Sequence, residues 1–203
     1  MFFSAFLPIR YPKIFCKGLT RIKDLPKTLY LSFDDGPNPL ITEKILEILE
    51  KHKAKASFFC KGKNADLYPE VLEKIQVQGH CIGNHSYMHL DAFKHKNKKW
   101  LFDVLRKSPV SDSYYFRPAY GHIFPWQCRF LRKKYKLVFW DVITYDFKQN
   151  YSLEKIKKII LKKVRDGSII VFHDNLKSSK NMLPALEFTL NHYSKLGYKF
   201  EKL

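Results

Sequence analysis

The chain lacks any apolar run approaching the ~18 residues that a membrane-spanning helix needs, which excludes an ordinary spanning helix. Its start, Met1-Phe2-Phe3-Ser4-Ala5-Phe6-Leu7-Pro8-Ile9-Arg10, is apolar, but it has neither a basic leader nor a clear small-residue cleavage site. No secretory signal is therefore expected, and the location expected is cytoplasmic or membrane-peripheral. Cysteine is scarce: Cys16, Cys60, Cys81 and Cys128 form no CxxC pair and no zinc spacing. They read as small buried residues kept reduced, with two disulfides as the alternative in a secreted protein. There is no internal repeat, low-complexity tract or linker, so 203 residues suggest one domain, with room for a short appendage. Acidic residues are also short, with 19 Asp and Glu against 37 Lys and Arg, a net charge of +18. No RNP, zinc-finger or KH signature accompanies that charge, so specific nucleic-acid recognition is not expected.

What is present is a foldable core. Hydrophobic residues make up 45% of the chain and aromatics 16%, which argues against wholesale disorder. The basic excess favours something anionic nearby, either a glycan or a membrane surface. Much of it is spread over helix faces. In residues 152–166, Leu153, Ile156, Ile160 and Val164 repeat at helical spacing, and Lys155, Lys157, Lys158, Lys162 and Lys163 fall largely between them.

Strand and helix patterns alternate along the chain. Thr28–Phe33 is an apolar run ending at Asp34-Asp35-Gly36-Pro37, a strand followed by a turn. Helical spacing follows over 40–52, then a strand at 56–60, a helix at 68–78 and a strand at 80–83. The second half reads as helix 96–107, strand 114–116, helix 124–135, strand 137–142, helix 152–166, strand 168–172, helix 184–196 and strand 198–200. Such alternation argues for parallel strands with helices outside, in an open sheet or a small barrel. Asp34, Asp35, His85, Arg117 and His173 each stand just after an expected strand. In both architectures ligands bind at the carboxyl ends of strands, so these distant groups converge on one rim.

Their chemistry is complementary. His85 and His89 are four apart, the spacing that places two imidazoles on one face of a helical turn. With one carboxylate from Asp34-Asp35 they offer an ion three protein ligands and leave a position open, as in a catalytic rather than a structural site. The other carboxylate is then free to act as a base. His173 and Arg117 add a titratable group and a fixed positive charge.

The order of FDDG (33–36), HSxxH (85–89), RPxYG (117–121), the Trp140–Phe147 segment and an apolar strand ending in His173-Asp174 closely resembles the polysaccharide deacetylases of the NodB-homology type, carbohydrate esterase family four. The resemblance runs from about Thr28 to the C-terminus. It implies an α/β fold, a distorted, incomplete (β/α) barrel, with residues 25–203 as the catalytic domain and 1–24 as an N-terminal extension. That extension is aromatic and basic, and is read as a strap across the barrel bottom, with a membrane-surface contact as the alternative.

The resemblance also implies roles. Asp34 is the general base; Asp35, His85 and His89 hold a divalent metal, zinc by default, with cobalt, nickel or manganese able to fit the same ligands. Arg117 orients the base, the Tyr120 backbone N–H meets the oxyanion, and Asp146 holds the acid, His173. The activity implied is removal of the N-acetyl group from an N-acetylated glycan. Alternatives are a deformylase or deacylase of a lipid-linked amino sugar or small amide, and an O-deacetylase of the acetylxylan type. Three positions depart from the family pattern: Ala119 replaces a common proline, Phe147 stands where Trp is usual, and Val171 where Leu is usual. The last two fall in the family's acyl-methyl pocket and remain apolar.

Overall fold

The computed structural model describes residues 15–203. Its elements, in chain order, are β1 (Thr28–Asp34), α1 (Pro39–Lys51), β2 (Ala56–Cys60), α2 (Gly62–Leu67), α3 (Pro69–Val77), β3 (Cys81–Asn84), α4 (Asn97–Leu105), β4 (Tyr115–Phe116), a 3-10 turn (Ala119–Gly121), α5 (Pro125–Leu131), β5 (Lys136–Leu137), β6 (Val142–Ile143), α6 (Leu153–Lys163), β7 (Ile169–His173), α7 (Leu176–Lys195) and β8 (Lys199–Phe200). Among the described residues these strands pair in parallel, in the order β5-β4-β3-β2-β1-β7-β6, with β8 beside the start of β1.

The sheet curls into a half-barrel because one segment supplies both of its edges. Residues expected as a single strand over 137–142 are instead two short strands: β5 pairs with β4, and β6 pairs with β7 across the opening. The N-terminal strap fills the gap between them. Leu19 bridges Val138, with its N–H donating to Leu137 O (2.8 Å) and its carbonyl accepting from Phe139 N–H (2.7 Å). Ile22 N–H donates to Gly167 O at 2.9 Å. Gly167 has φ 74°, and a Cβ there would lie 1.4 Å from Ile22 O, so only glycine permits this closure.

Alternation along β1 builds two layers. Leu29, Leu31 and Phe33 pack outward against the helices with Ile41, Ile45, Leu49, Ile156 and Leu186. Tyr30, Ser32 and Asp34 face the barrel interior, where Tyr30 packs with Phe59, Val138 and Ile169. Burial on both faces explains why the strand reads as a continuous apolar run. Helix caps match local sequence: Asn38 accepts from Leu40 N–H before Pro39 opens α1, and Asn175 accepts from Ser178 N–H at the start of α7.

Several local expectations change. Helix α7 begins at Leu176, eight residues before Pro184, and carries that proline inside. The buried face formed by Met182, Ala185, Leu186, Thr189, Leu190 and Tyr193 outweighs the lost backbone hydrogen bond. Helix α2, rich in polar residues, was not anticipated. The cysteines are not all reduced: Cys16 and Cys128 form a disulfide, while Cys60 and Cys81 are free. Their 112-residue separation conceals a Cα–Cα distance of 5.0 Å, reached when the strap folds back onto α5. No helix among the described residues is long and apolar enough to cross a membrane.

Closing so long a loop restricts the unfolded chain, so the Cys16→Ser/Cys128→Ser variant should lose about 2–4 kcal/mol of unfolding free energy in denaturant titration. Thiol titration of the unreduced, denatured protein should find two reactive thiols; four would show that the bridge is absent.

Candidate active site

Strand register brings the chemical groups together. Asp34 pairs with His173 on β7 and Phe59 on β2, Cys60 pairs with Asn84, and Asn84 pairs with Phe116. The ends of β1, β7, β3 and β4 are therefore level. The structure gathers all eight residues singled out from the sequence on this rim.

Asp34 lies at the end of β1, buried with Arg117, which is 0% exposed. Arg117 Nη1 donates to Asp34 Oδ1 (2.5 Å) and Ser32 Oγ (3.0 Å), and Nη2 donates to Phe139 O (3.0 Å). The guanidinium also lies over the Phe59 ring at 3.9 Å. One carboxylate oxygen of Asp34 is thus held from below, while Oδ2 faces His85 Nε2 at 3.9 Å.

The His85–His89 segment is a loop, not the helical turn its spacing suggested. Ser86 (φ 61°) and His89 (φ 62°) are both left-handed. Ser86 N–H donates to Asn84 Oδ1 at 2.7 Å, an Asx turn, and His89 N–H donates to Ser86 Oγ at 3.1 Å. Asp103 of α4, buried, accepts from the N–H groups of Met88 (2.7 Å) and Leu90 (3.4 Å). Loop hydrogen bonds thus replace the helix as the device that brings the two rings together, at 4.8 Å between centroids.

Ligand atoms of Asp35, His85 and His89 all lie within 4.8 Å of one another, and the donor set fits a divalent ion. His85 Nδ1 is 2.7 Å from Arg117 O, an atom that only accepts, so Nδ1 carries the proton and Nε2 presents its lone pair. Burial lowers the His85 pKa, and burial together with the His85 ring pushes His89 down to about 4, so both rings are neutral at pH 7. For Asp35 burial opposes ionisation, yet the positive charge that His89, His173 and His85 carry in acid, with the Lys61 ammonium, holds the carboxyl well below its ordinary range. Asn175 Nδ2 donates to Asp35 Oδ2 at 2.8 Å, leaving Oδ1 toward His89 Nε2, 3.4 Å away.

His173, ending β7, has the opposite character. Its Nδ1 is 2.7 Å from Asp146 Oδ1, and its backbone N–H donates to Asp146 Oδ2, also at 2.7 Å. Burial disfavours the charged ring, but Asp146, by charge and hydrogen bond, raises it to about 9. Phe147 stands edge-on to His173 at 4.8 Å, and Val171 is buried two residues before His173 on the same strand face. Tyr120 occupies the 3-10 turn with φ 59°, and its ring lies edge-on to His89 at 4.6 Å.

Sequence reading missed the supports. Asn175 passes as a helix cap, and Asp103 as an ordinary helical acid. Asp174 is fully buried, accepts from Thr42 Oγ1 (2.6 Å) and is pushed up to about 7 by burial. A Cβ on Gly36 would lie 2.2 Å from Asp174 Oδ2, which is why the turn after the paired carboxylates needs glycine. Only the G in FDDG signalled this.

The family model described as polysaccharide deacetylase matches residues 21–133. A peptidoglycan-N-acetylglucosamine deacetylase of Bacillus cereus is 33% identical over 150 residues, spanning 70% of this chain and 54% of that protein. A chitooligosaccharide deacetylase of Azorhizobium caulinodans is 31% identical over 165 residues, spanning 76% of this chain and 77% of its own length. The crystal structure of the Bc1960 peptidoglycan N-acetylglucosamine deacetylase superposes with a TM-score of 0.85 at 26% identity, covering 98% of this chain and 95% of that one. By the family match and these relatives, the chain belongs to the polysaccharide deacetylase family.

Proposed function

We propose that this chain hydrolyses the N-acetyl group of an N-acetylated glycan, releasing acetate and a free amino sugar, with a divalent ion held by Asp35, His85 and His89. The observation that carries this reading is the placement of two further groups on either side of one cluster of ligand atoms. A carboxylate without a ligand role, Asp34, stands on one side, and a protonated histidine, His173, on the other. The relatives' activities on peptidoglycan and chitooligosaccharides support the substrate class. Residues 25–203 serve as the catalytic unit, with 1–24 as an extension of which Leu19 and Ile22 complete the barrel.

Asp35, His85 and His89 would hold a divalent ion, zinc by the nature of its ligands, which would supply Lewis-acid chemistry at the site. Asp34 takes the proton of the attacking water, and Arg117 holds its carboxylate in place. The Tyr120 backbone N–H meets the developing oxyanion. His173 gives its Nε2 proton to the leaving nitrogen, because Asp146 retains the proton on Nδ1. Phe147 and Val171 bound the acyl side with apolar surface suited to a methyl group. The Cys16–Cys128 bridge supports an oxidising compartment rather than the reducing one expected from cysteine spacing, and the net charge of +18 supports an anionic glycan matrix or membrane surface nearby.

Acetate release from chitooligosaccharides and peptidoglycan, with formylated substrates measured alongside, tests the reading directly. Asp34→Asn should lose about 10²–10⁴-fold in kcat with its metal content intact, and His85→Ala should lose the metal. Full activity after exhaustive chelation would contradict the metal role.

His173 must be protonated to act, and its raised pKa holds the proton up to about pH 9. Turnover should therefore fall as pH rises through about 9, and Asp146→Asn should move that limb to lower pH. An alkaline limb unmoved by the substitution would separate His173 from the acid role.

Asn175→Ala frees the outer oxygen of Asp35 and should weaken metal affinity by about 10–100-fold in competition with a chelating dye. Unchanged affinity would reduce Asn175 to a helix cap.

A further inference from the structure

Helix α4 is apolar on two faces. Trp100 and Val104 are buried in a core shared with Phe116 and Cys128, and Asp103, also buried, accepts from the His85–His89 loop. At 100° per residue, Phe102 and Leu105 fall on the side opposite those three. Phe102 is 71% exposed and Leu105 37%. With Leu101, Lys98, Arg106 and Lys107 they line a groove of about 410 Å³. Its floor is apolar and its rim is cationic.

The charge around this groove is one-sided. Over residues 94–107 the only acid among the Lys and Arg residues is Asp103, which is buried. Lys94 reaches Asp91, and the Arg106 guanidinium lies over the Tyr87 ring at 3.7 Å. Among the described residues no carboxylate pairs with Lys98, Lys99 or Lys107. Helix α5 continues the pattern. Gln127 Nε2 donates to Asn97 Oδ1 at 3.3 Å, which ties α5 to the start of α4. Trp126 and Phe130 stand one turn apart on α5, each 45% exposed, with Arg129 between them.

We propose that the outer face of α4 docks on an anionic phospholipid surface. Phe102 and Leu105 enter the acyl boundary, and Lys98, Arg106 and Lys107 meet lipid phosphates. An anionic glycan would take up the cations but leave Phe102 and Leu105 in water, whereas a bilayer interface satisfies both. Exposed Trp and basic side chains nearby suit the same headgroup layer. The helix is already folded on the core, so docking orders little that is free. Asp103 also ties α4 to the loop of His85 and His89, so docking would hold that rim beside the lipid. The docking stands independently of the deacetylase reading.

Sedimentation of the full chain with vesicles tests it, comparing pure phosphatidylcholine with an equal mixture of phosphatidylcholine and phosphatidylglycerol. The mixed vesicles should bind about 10-fold or more tightly, and added salt should weaken them. Phe102→Ser/Leu105→Ser and Lys98→Glu/Lys107→Glu should each weaken mixed-vesicle binding by about 10-fold while keeping the wild-type circular dichroism spectrum. Val77→Ser, at a position 79% exposed at the end of α3, should leave binding unchanged. Absence of vesicle binding, equal binding to neutral vesicles, or binding untouched by both α4 variants overturns the docking. Loss in the charge-reversed variant alone marks a face for polyanions and overturns it as well. A wild-type dimer that Phe102→Ser/Leu105→Ser dissociates in analytical ultracentrifugation overturns it in favour of a second copy of the chain.

Discussion

A guanidinium and a carboxylate, Arg117 and Asp34, share the interior of the barrel, and each is the other's charged partner there. Removing either would leave a buried unpaired charge, a loss of about 3–5 kcal/mol in comparable settings. The pair also ties distant parts of the chain together. Arg117 reaches Ser32 on β1 and the carbonyl of Phe139 in the segment that closes the sheet. Its own carbonyl accepts from His85 Nδ1, and its backbone N–H donates to Asn84 at the end of β3. One residue therefore sets the base, the tautomer of a metal-ligand candidate and the joint between two strands. Parallel strands make this possible by bringing all their carboxyl ends to the same level.

Around that pair, identical side chains take opposite proton states. Burial drives His85 and His89 toward the neutral form, and the His85 ring adds to the effect on His89, which leaves lone pairs for an ion. His173 is also largely buried but has Asp146 against Nδ1, and it stays protonated. Burial alone would make all three neutral. The difference lies in one hydrogen-bonded carboxylate, and it divides the rim into a side that accepts protons and a side that donates them.

Much of this was legible in the residues. Strand β2 was read with its observed ends, and the apolar runs ending at Asp34 and His173 marked β1 and β7. The spacing of His85 and His89 was a sound pointer to proximity, but for a different reason: an Asx turn and two left-handed residues, not a helix. Periodicity over 137–142 could not show that one apolar segment serves two edges of a sheet, because pairing partners leave no local mark. Proline led to a late start for α7, where packing prevailed over the lost hydrogen bond.

The sequence by itself determined the class of fold, the rim and the residues on it. Asp34, Asp35, His85, Arg117 and His173 follow from polar residues placed at the ends of apolar runs, and His89 from its spacing to His85, while Tyr120 and Asp146 came with the resemblance of the motif order to a family. Only the tertiary structure decided the Cys16–Cys128 bridge, the strap in the barrel gap and the second role of Asn175. These join residues far apart in the chain, and the free energy of each contact depends on a distance that the curled sheet alone sets. The proton states belong to the same group, since an imidazole's charge is fixed by what lies a few ångströms away and not by its neighbours in sequence.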